Sequence, residues 1–335
     1  MTASLPFISV LVPAYNRPDA LRRLLLAIED QSYPPYRFEV IVCDDGSAPP
    51  LLDSIDPRGY SFPLKIIERP HAGAASARNH AIRQAAGTIA VFTHDDCIPD
   101  AGWLDAIAEG FQSPETHTLY GPTHANIPPI LPFFLSAPGD RTHGPSSANL
   151  AVRRDLVVHI KCFDATLSSP HYEDEDLAIR LQSAHGPLTW SEAMRVEHTP
   201  RPGTIAQAWQ TAAATRDIPY LAGKHPGFGY DIFAGLLKRS VIKSVLLLGI
   251  LAPLFVPAPF GWLGALGWVA LLTWQALRLK PLVGLAQDHG LSIPRQFMLW
   301  YLFCEWALDF KSLAAYVSGW AVGRSHPTEF DDEFV

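Results

Sequence analysis

Cysteine is scarce in this chain: the four that occur, Cys43, Cys97, Cys162 and Cys304, stand far apart with no C-x-x-C pair among them. That spacing suggests neither a zinc site nor a disulfide framework and fits a reducing compartment. Charge is also sparse, with Asp, Glu, Lys and Arg making up 18% of 335 residues, and there is no block of Lys or Arg to offset a formal net charge of −7. Without clustered cations to displace counterions, a nucleic-acid partner is not expected. No G-x-G-x-x-G follows the first apolar run, which disfavours a dinucleotide-dependent dehydrogenase. Nor does a basic stretch or small-residue cleavage site precede Phe7, so export by a signal peptide is not expected. No internal repeat or low-complexity segment is visible, although Pro-rich stretches such as Ile127–Pro132 and Ser136–Gly139 read as loops.

What is present is apolar. Hydrophobic residues make up 48% of the chain, with the excess after Tyr230. The length predicts one domain of roughly 200 to 250 residues with a smaller appendage, here 1–230 and 231–335. Phe7–Pro13 is a short apolar run rich in β-branched residues, the pattern of a strand buried on both faces of a parallel sheet. Asn16-Arg17-Pro18-Asp19 then supplies helix-start chemistry, and Leu21, Leu24, Leu25 and Ile28 recur at helical spacing. Phe38–Cys43 and Leu64–Ile67 read as strands, Ala74–Ala85 as a helix closed by Gly87, and Ile89–Phe92 as a fourth strand. Such alternation predicts a doubly wound, Rossmann-like α/β sheet with its ligand site at the carboxyl ends of the strands.

Polar clusters fall at those ends: Tyr15-Asn16, Asp44-Asp45-Gly46-Ser47 and His94-Asp95-Asp96. Each alone is compatible with ordinary turn punctuation; together they converge on one sheet edge. Adjacent Asp95 and Asp96 suit a hard divalent cation, Mn²⁺ or Mg²⁺, which takes oxygen ligands from one or two carboxylates plus phosphates. Glu173-Asp174-Glu175-Asp176-Leu177 offers a carboxylate base, although acidic residues in a first helical turn also simply complement the helix dipole.

Several strings in order resemble one family. Ser9-Val10-Leu11-Val12-Pro13-Ala14-Tyr15-Asn16-Arg17, Val42-Cys43-Asp44-Asp45-Gly46-Ser47 and Gly73-Ala74-Ala75-Ser76-Ala77-Arg78-Asn79 are similar to the donor-binding half of the family 2 glycosyltransferases of GT-A fold. Phe92-Thr93-His94-Asp95-Asp96-Cys97-Ile98-Pro99 resembles that family's metal motif, and Asn149-Leu150-Ala151-Val152-Arg153-Arg154 with Glu173-Asp174-Glu175-Asp176-Leu177 its acceptor half. The match covers about the first 200 residues. The resemblance implies a GT-A sheet in which Pro13, Tyr15 and Asp45 contact the nucleoside and Arg78 steadies base or phosphates. It further implies that Asp95 binds ribose or metal, Asp96 binds the metal and Asp174 is the catalytic base. His198 stands where members often place a histidine against the metal or diphosphate, although a lone histidine at a strand end is also a common structural residue. Asp176 and His94 are further candidates. His94 stands where the metal motif commonly begins with an acid, and Lys161-Cys162-Phe163-Asp164 where the family usually has Gly-Gly-Phe-Asp. Because only glycine reaches positive φ cheaply, that second departure predicts a different backbone geometry for the loop.

The C-terminal third carries two nearly uncharged runs, Val245–Val256 and Phe260–Leu277, parted by Pro257-Ala258-Pro259 and flanked by Lys238, Arg239, Lys243, Arg278 and Lys280. They read as a membrane hairpin over about 240–279 with both ends on the cytoplasmic side. An aromatic-rich helix over about 296–322 suits the membrane interface. A soluble helical domain is the alternative. The sequence therefore leads to an inverting, metal-dependent transferase at the cytoplasmic face of the cell membrane. It would move a sugar from a nucleotide-diphosphate donor to the hydroxyl of a glycan or lipid-linked acceptor, in cell-envelope glycan biosynthesis. A polyprenyl-phosphate sugar synthase and a catalytically silent nucleotide-sugar binder remain as alternatives.

Overall fold

The computed structural model describes residues 5–125, 134–135, 144–167, 172–199, 201–202, 213, 215–226, 228, 311–312, 314–315 and 318. The chain divides into two units, the first comprising residues 1–126, 136–200 and 326–335 and the second 127–135 and 201–325.

The first unit opens with strand β1 (Ile8–Ala14), helix α1 (Pro18–Glu29), β2 (Phe38–Asp44), β3 (Leu64–Glu68), α2 (Ala74–Arg83) and β4 (Ile89–Thr93). It continues through β5 (Cys97–Pro99), α3 (Trp103–Gly110), β6 (Thr118–Tyr120) and β7 (Thr123–Ala125). The second unit contributes β8 (Phe134–Leu135), after which the first resumes with β9 (Asn149–Arg153), α4 (Arg154–His159), α5 (Glu173–His185), β10 (Thr189–Trp190) and β11 (Val196–His198). In the second unit β12 (Arg201–Pro202) pairs antiparallel with β8, and α6 (Ile218–Lys224) buries Ile218 and Leu221.

A seven-stranded sheet in the order β10-β6-β9-β4-β1-β2-β3 organises the first unit. β1 pairs in parallel with both β2 and β4, and β2 with β3, whereas β9 runs antiparallel between β4 and β6. The sheet is mostly parallel, and its central strands are covered on both faces, which explains their continuous apolar runs. Successive side chains point to opposite faces. Val10, Val12, Val40, Val42 and Val91 pack with Leu21, Leu24, Leu25, Ile28, Trp103 and Ile107 of α1 and α3. Leu11, Ile41, Cys43 and Phe92 pack on the other face with Ala77, Ala81, Ile82, Leu177 and Leu181 of α2 and α5. A smaller three-stranded sheet, β5-β11-β7, sets His198 opposite Cys97 and Ala125.

The loop after α4 corrects the sequence expectation. Lys161 and Cys162 do take positive φ, +64° and +53°. Cys162 N–H donates to Val157 C=O (2.9 Å) and Lys161 N–H to Val158 C=O (2.9 Å), the paired bonds of a Schellman motif closing the helix. Those bonds, together with Arg180 donating to the carbonyls of Ile160 and Cys162, hold two non-glycine residues where glycine is the cheaper occupant. The expected hairpin over about 240–279 lies outside the described residues, as does the helix over about 296–322 except for 311, 312, 314, 315 and 318, which are helical. Among the described residues no helix is long and apolar enough to cross a membrane.

Lys161 is exposed, so Lys161→Gly should relieve the left-handed strain with little lost packing. Chemical denaturation should show a gain of about 0.5 to 1 kcal/mol, the steric relief less glycine's entropic cost.

Candidate active site

Because β4, β1 and β2 are neighbours in the sheet, the loops leaving their carboxyl ends lie side by side. The β1 loop turns at Asn16, whose φ is +54°. Its N–H donates to Ser47 Oγ (2.8 Å), and its side-chain Oδ1 accepts from Ala48 N–H (2.8 Å), tying the loop to the one after β2. In the β2 loop, Asp44 accepts from the N–H groups of Ser47 and Leu51 (2.9 Å each) and so shapes the turn. Gly46 completes it at φ +83°, where an added Cβ would lie 2.8 Å from His71 N. Asp45 is buried and accepts from Ala72 N–H (3.0 Å) and Gly73 N–H (2.8 Å), while His71 Nδ1 lies 2.8 Å from its Oδ2. The His71 ring stacks on Tyr15 with centroids 4.4 Å apart, and Tyr15 is 41% exposed. Pro13 is half-buried in β1 opposite Cys43. A cleft of about 300 Å³ opens beside this loop, lined by Asp44, Gly46, Ser47, Glu68 and Arg69 among others.

At the end of β4, Asp95 and Asp96 are both buried and both face Arg17. Arg17 Nη2 reaches Asp95 Oδ1 at 2.8 Å and Nη1 donates to Asp96 Oδ2 at 3.0 Å. Asp96 Oδ1 lies 3.3 Å from His198 Nε2. β11 brings His198 there through its antiparallel pairing with β5, reinforced by Thr199 N–H donating to Asp96 C=O at 3.0 Å. His94, Asp96, Cys97 and His198 together offer ligand atoms within 4.8 Å of one another.

The donor set fits a divalent cation, but unevenly. Burial, and next the Arg78 guanidinium, hold the His94 imidazole well below its usual pKa, so the ring is neutral at pH 7. Arginine can only donate, so His94 Nε2 must accept from Arg78 Nη2 (3.0 Å), and that lone pair is already engaged. Burial pushes the Cys97 thiol up to about 12, which leaves it protonated. Asp96 and His198 are the ready ligands, and His198 Nδ1 is buried without a hydrogen-bond partner among the described residues. One carboxylate and one imidazole leave coordination positions for phosphate oxygens and water.

Asp174 sits in the first turn of α5. Its Oδ2 accepts from Ser147 N–H (2.9 Å) and Ser146 Oγ (3.3 Å), while Oδ1 is shielded from solvent and has no hydrogen-bond partner among the described residues. Ser147 Oγ lies 3.2 Å from His94 Nε2, so a short chain of contacts joins Asp174 to the β4 loop. Arg78 forms a second link. From α2 it pairs with buried Glu173, contacts His94 and lies over the Phe163 ring at 5.1 Å. Burial pushes Glu173 up to about 7, against the pull of that guanidinium. Asp176 instead pairs with Arg180 at 2.7 Å, one turn along α5.

The structure thus gathers His94, Asp95, Asp96, Arg78, Asp174 and His198 into one network. Tyr15 and Asp45 lie in the adjoining loops, and Asp176 pairs within its own helix. Sequence reasoning assigned no role to Arg17, Glu173, Ser147 or His71. Arg17 had a legible signal, a cation at the same sheet edge as an acidic pair; His71 and Ser147 had none.

Residues 9–159 match the family described as Glycosyl transferase family 2. This stretch is a family 2 glycosyltransferase domain. Over 107 residues the chain is 36% identical to Glycosyltransferase AglE of Haloferax volcanii, covering 31% of this chain and 35% of that relative. Over 90 residues it is 33% identical to poly(ribitol-phosphate) beta-N-acetylglucosaminyltransferase TarS of Staphylococcus aureus, covering 26% of this chain and 16% of that one. These matches span about a third or less of the relatives' own length. The mannosyltransferase PcManGT from Pyrobaculum calidifontis, solved with GDP-Man and Mn²⁺, shares the fold. The TM-score is 0.55 at 18% identity, over 96% of this chain and 89% of that one. The family 2 domain therefore sits on a GT-A-like α/β fold with a mostly parallel central sheet.

Arg78 and Glu173 bind the two halves of the site together, and both are almost fully buried. Arg78→Met should cost about 3 kcal/mol, because it removes the partner of a buried acid and the contacts to His94 and Phe163, and Glu173→Gln should cost a comparable amount, because it leaves a buried guanidinium that cannot deprotonate. The double variant should lose clearly less than the sum, measured by urea unfolding near neutral pH. Additive losses would show that the two do not act as a unit.

Proposed function

We propose that the protein transfers a sugar from a nucleotide-diphosphate donor to an acceptor hydroxyl with inversion, using Asp174 as the general base. The observation that carries this reading is the asymmetry of the Asp174 carboxylate. Ser146 and Ser147 hold one oxygen, while the other is turned away from bulk solvent with no hydrogen-bond partner among the described residues. A carboxylate so oriented can take a proton from an alcohol as its oxygen attacks the anomeric carbon and the bond to the diphosphate breaks.

Donor binding falls to the loops after β1 and β2. The exposed Tyr15 face and the cleft beside Gly46 and Ser47 suit a nucleoside, and Asp45 fixes the segment 71–73 next to them. Asp96 and His198 would hold a divalent cation, which supplies positive charge against the departing diphosphate. A nitrogen donor in that set favours Mn²⁺ over Mg²⁺. Arg78 then acts as a positioning residue, since its guanidinium is committed to Glu173 and His94. The apolar runs Val245–Val256 and Phe260–Leu277 support a membrane-borne acceptor reached from the cytoplasmic face.

Two variants separate the roles. Asp174→Asn should leave Mn²⁺-dependent donor binding nearly intact, read by thermal shift with nucleotide diphosphates and their sugars, and lower turnover about a hundredfold or more. Equal losses in binding and turnover would make Asp174 a donor-site or structural residue. Asp96→Asn removes one of few anionic ligands at constant size and should abolish the Mn²⁺-dependent shift. Wild-type Mn²⁺ dependence in that variant would remove Asp96 from the ligand set.

A further inference from the structure

We propose that Arg17 is a resident counter-cation for the Asp95–Asp96 pair and that a divalent ion binds by exchanging with it. The inference rests on the reading that a cation binds at Asp96. Its basis is the way charge is arranged around the pair. The side chains of Asp95 and Asp96 are 0% and 2% exposed, whereas that of Arg17 is 29% exposed. The guanidinium therefore covers two buried carboxylates from the solvent side, one nitrogen on each at 2.8 and 3.0 Å. Two adjacent buried anions are costly without positive charge in contact, and the fork of arginine, five donors in a plane, can satisfy both at once.

The backbone beneath this fork is fixed. Asn16 is bonded to Ser47 and Ala48, and Arg17 C=O accepts from Leu21 N–H (3.1 Å) as the first bond of α1. The side chain beyond is long and partly solvated, so motion is available to it but not to the loop. A divalent ion brought to Asp96 meets that carboxylate with Oδ2 already donated to by Arg17 and Oδ1 facing His198. Two cations within contact of one carboxylate repel, so the binding of one must weaken the other. Arg17 thus keeps the acidic pair stable in the absence of metal and sets a higher threshold for metal entry. No neutral residue at position 17 could do both.

The experiment is a Mn²⁺ titration of the full chain, wild type against Arg17→Met and Arg17→Lys, with free Mn²⁺ counted by electron paramagnetic resonance and stability followed by thermal unfolding. Without metal, Arg17→Met should melt lower than wild type. It should bind Mn²⁺ about tenfold or more tightly, because a competing charge in contact is gone, and should gain more in Tm as Mn²⁺ rises. Arg17→Lys keeps the charge without the fork and should fall between the two. If Arg17→Met does not fold, the lysine variant carries the test and must still bind more tightly than wild type. Wild-type or weaker Mn²⁺ affinity in the variants overturns the exchange while leaving the cation site in place. Absence of Mn²⁺ binding in every form, or its survival in Asp96→Asn, overturns the cation site and the exchange with it.

Discussion

Two carboxylates side by side at the end of a central strand, both withdrawn from water, are an electrostatic problem that the surrounding structure has to answer continuously. Asp95 and Asp96 sit there because β4 lies at the middle of the sheet, flanked by β1 and β9. The answer comes from elements distant in sequence. Arg17 comes from the β1 loop, 79 residues away, and His198 from β11, far along the chain on the other side. Holding these groups against the pair requires the Asn16–Ser47–Ala48 lock and the small β5-β11-β7 sheet, so much of the loop architecture follows from one buried concentration of negative charge.

A second cluster of charge joins the halves of the site. Arg78 spans from α2 to Glu173 at the start of α5, with Phe163 beneath it and His94 at its other edge. Asn79, the next residue, exchanges two hydrogen bonds with Phe163, donating to its carbonyl at 2.8 Å and accepting from its N–H at 3.0 Å. One turn of α2 therefore positions the loop after α4 and the helix bearing Asp174. Arg78 thereby stands among the residues that hold the geometry of the site.

The strands of the donor half were legible because both faces of β1, β2 and β4 are covered, which forces uninterrupted β-branched runs that no helix of that length would show. The converging acidic clusters were legible for a related reason, since parallel neighbours put their loop ends on one edge. What sequence could not reveal was pairing. β5, β7 and β11 are three residues each, too short for any periodicity, yet their register is what delivers His198 to Asp96. Arg17 was visible as a residue but not as a partner, because the contact depends on the left-handed turn at Asn16 that aims it.

The loop after α4 shows two non-glycine residues held in the left-handed region. Reasoning from the missing glycines predicts a different backbone at Lys161-Cys162, and the structure has the left-handed one all the same. The cost of αL for each residue is on the order of 1 kcal/mol, smaller than the combined return of what the conformation secures. It satisfies two helix-end carbonyls, places Cys162 in the core and presents Phe163 to Asn79 and Arg78. Because Arg180 also spans the Ile160 and Cys162 carbonyls, the loop is held from both α2 and α5. Local propensity is overruled here because the position of this loop sets how α2 meets α5, and with it how Arg78 meets Glu173 beside Asp174.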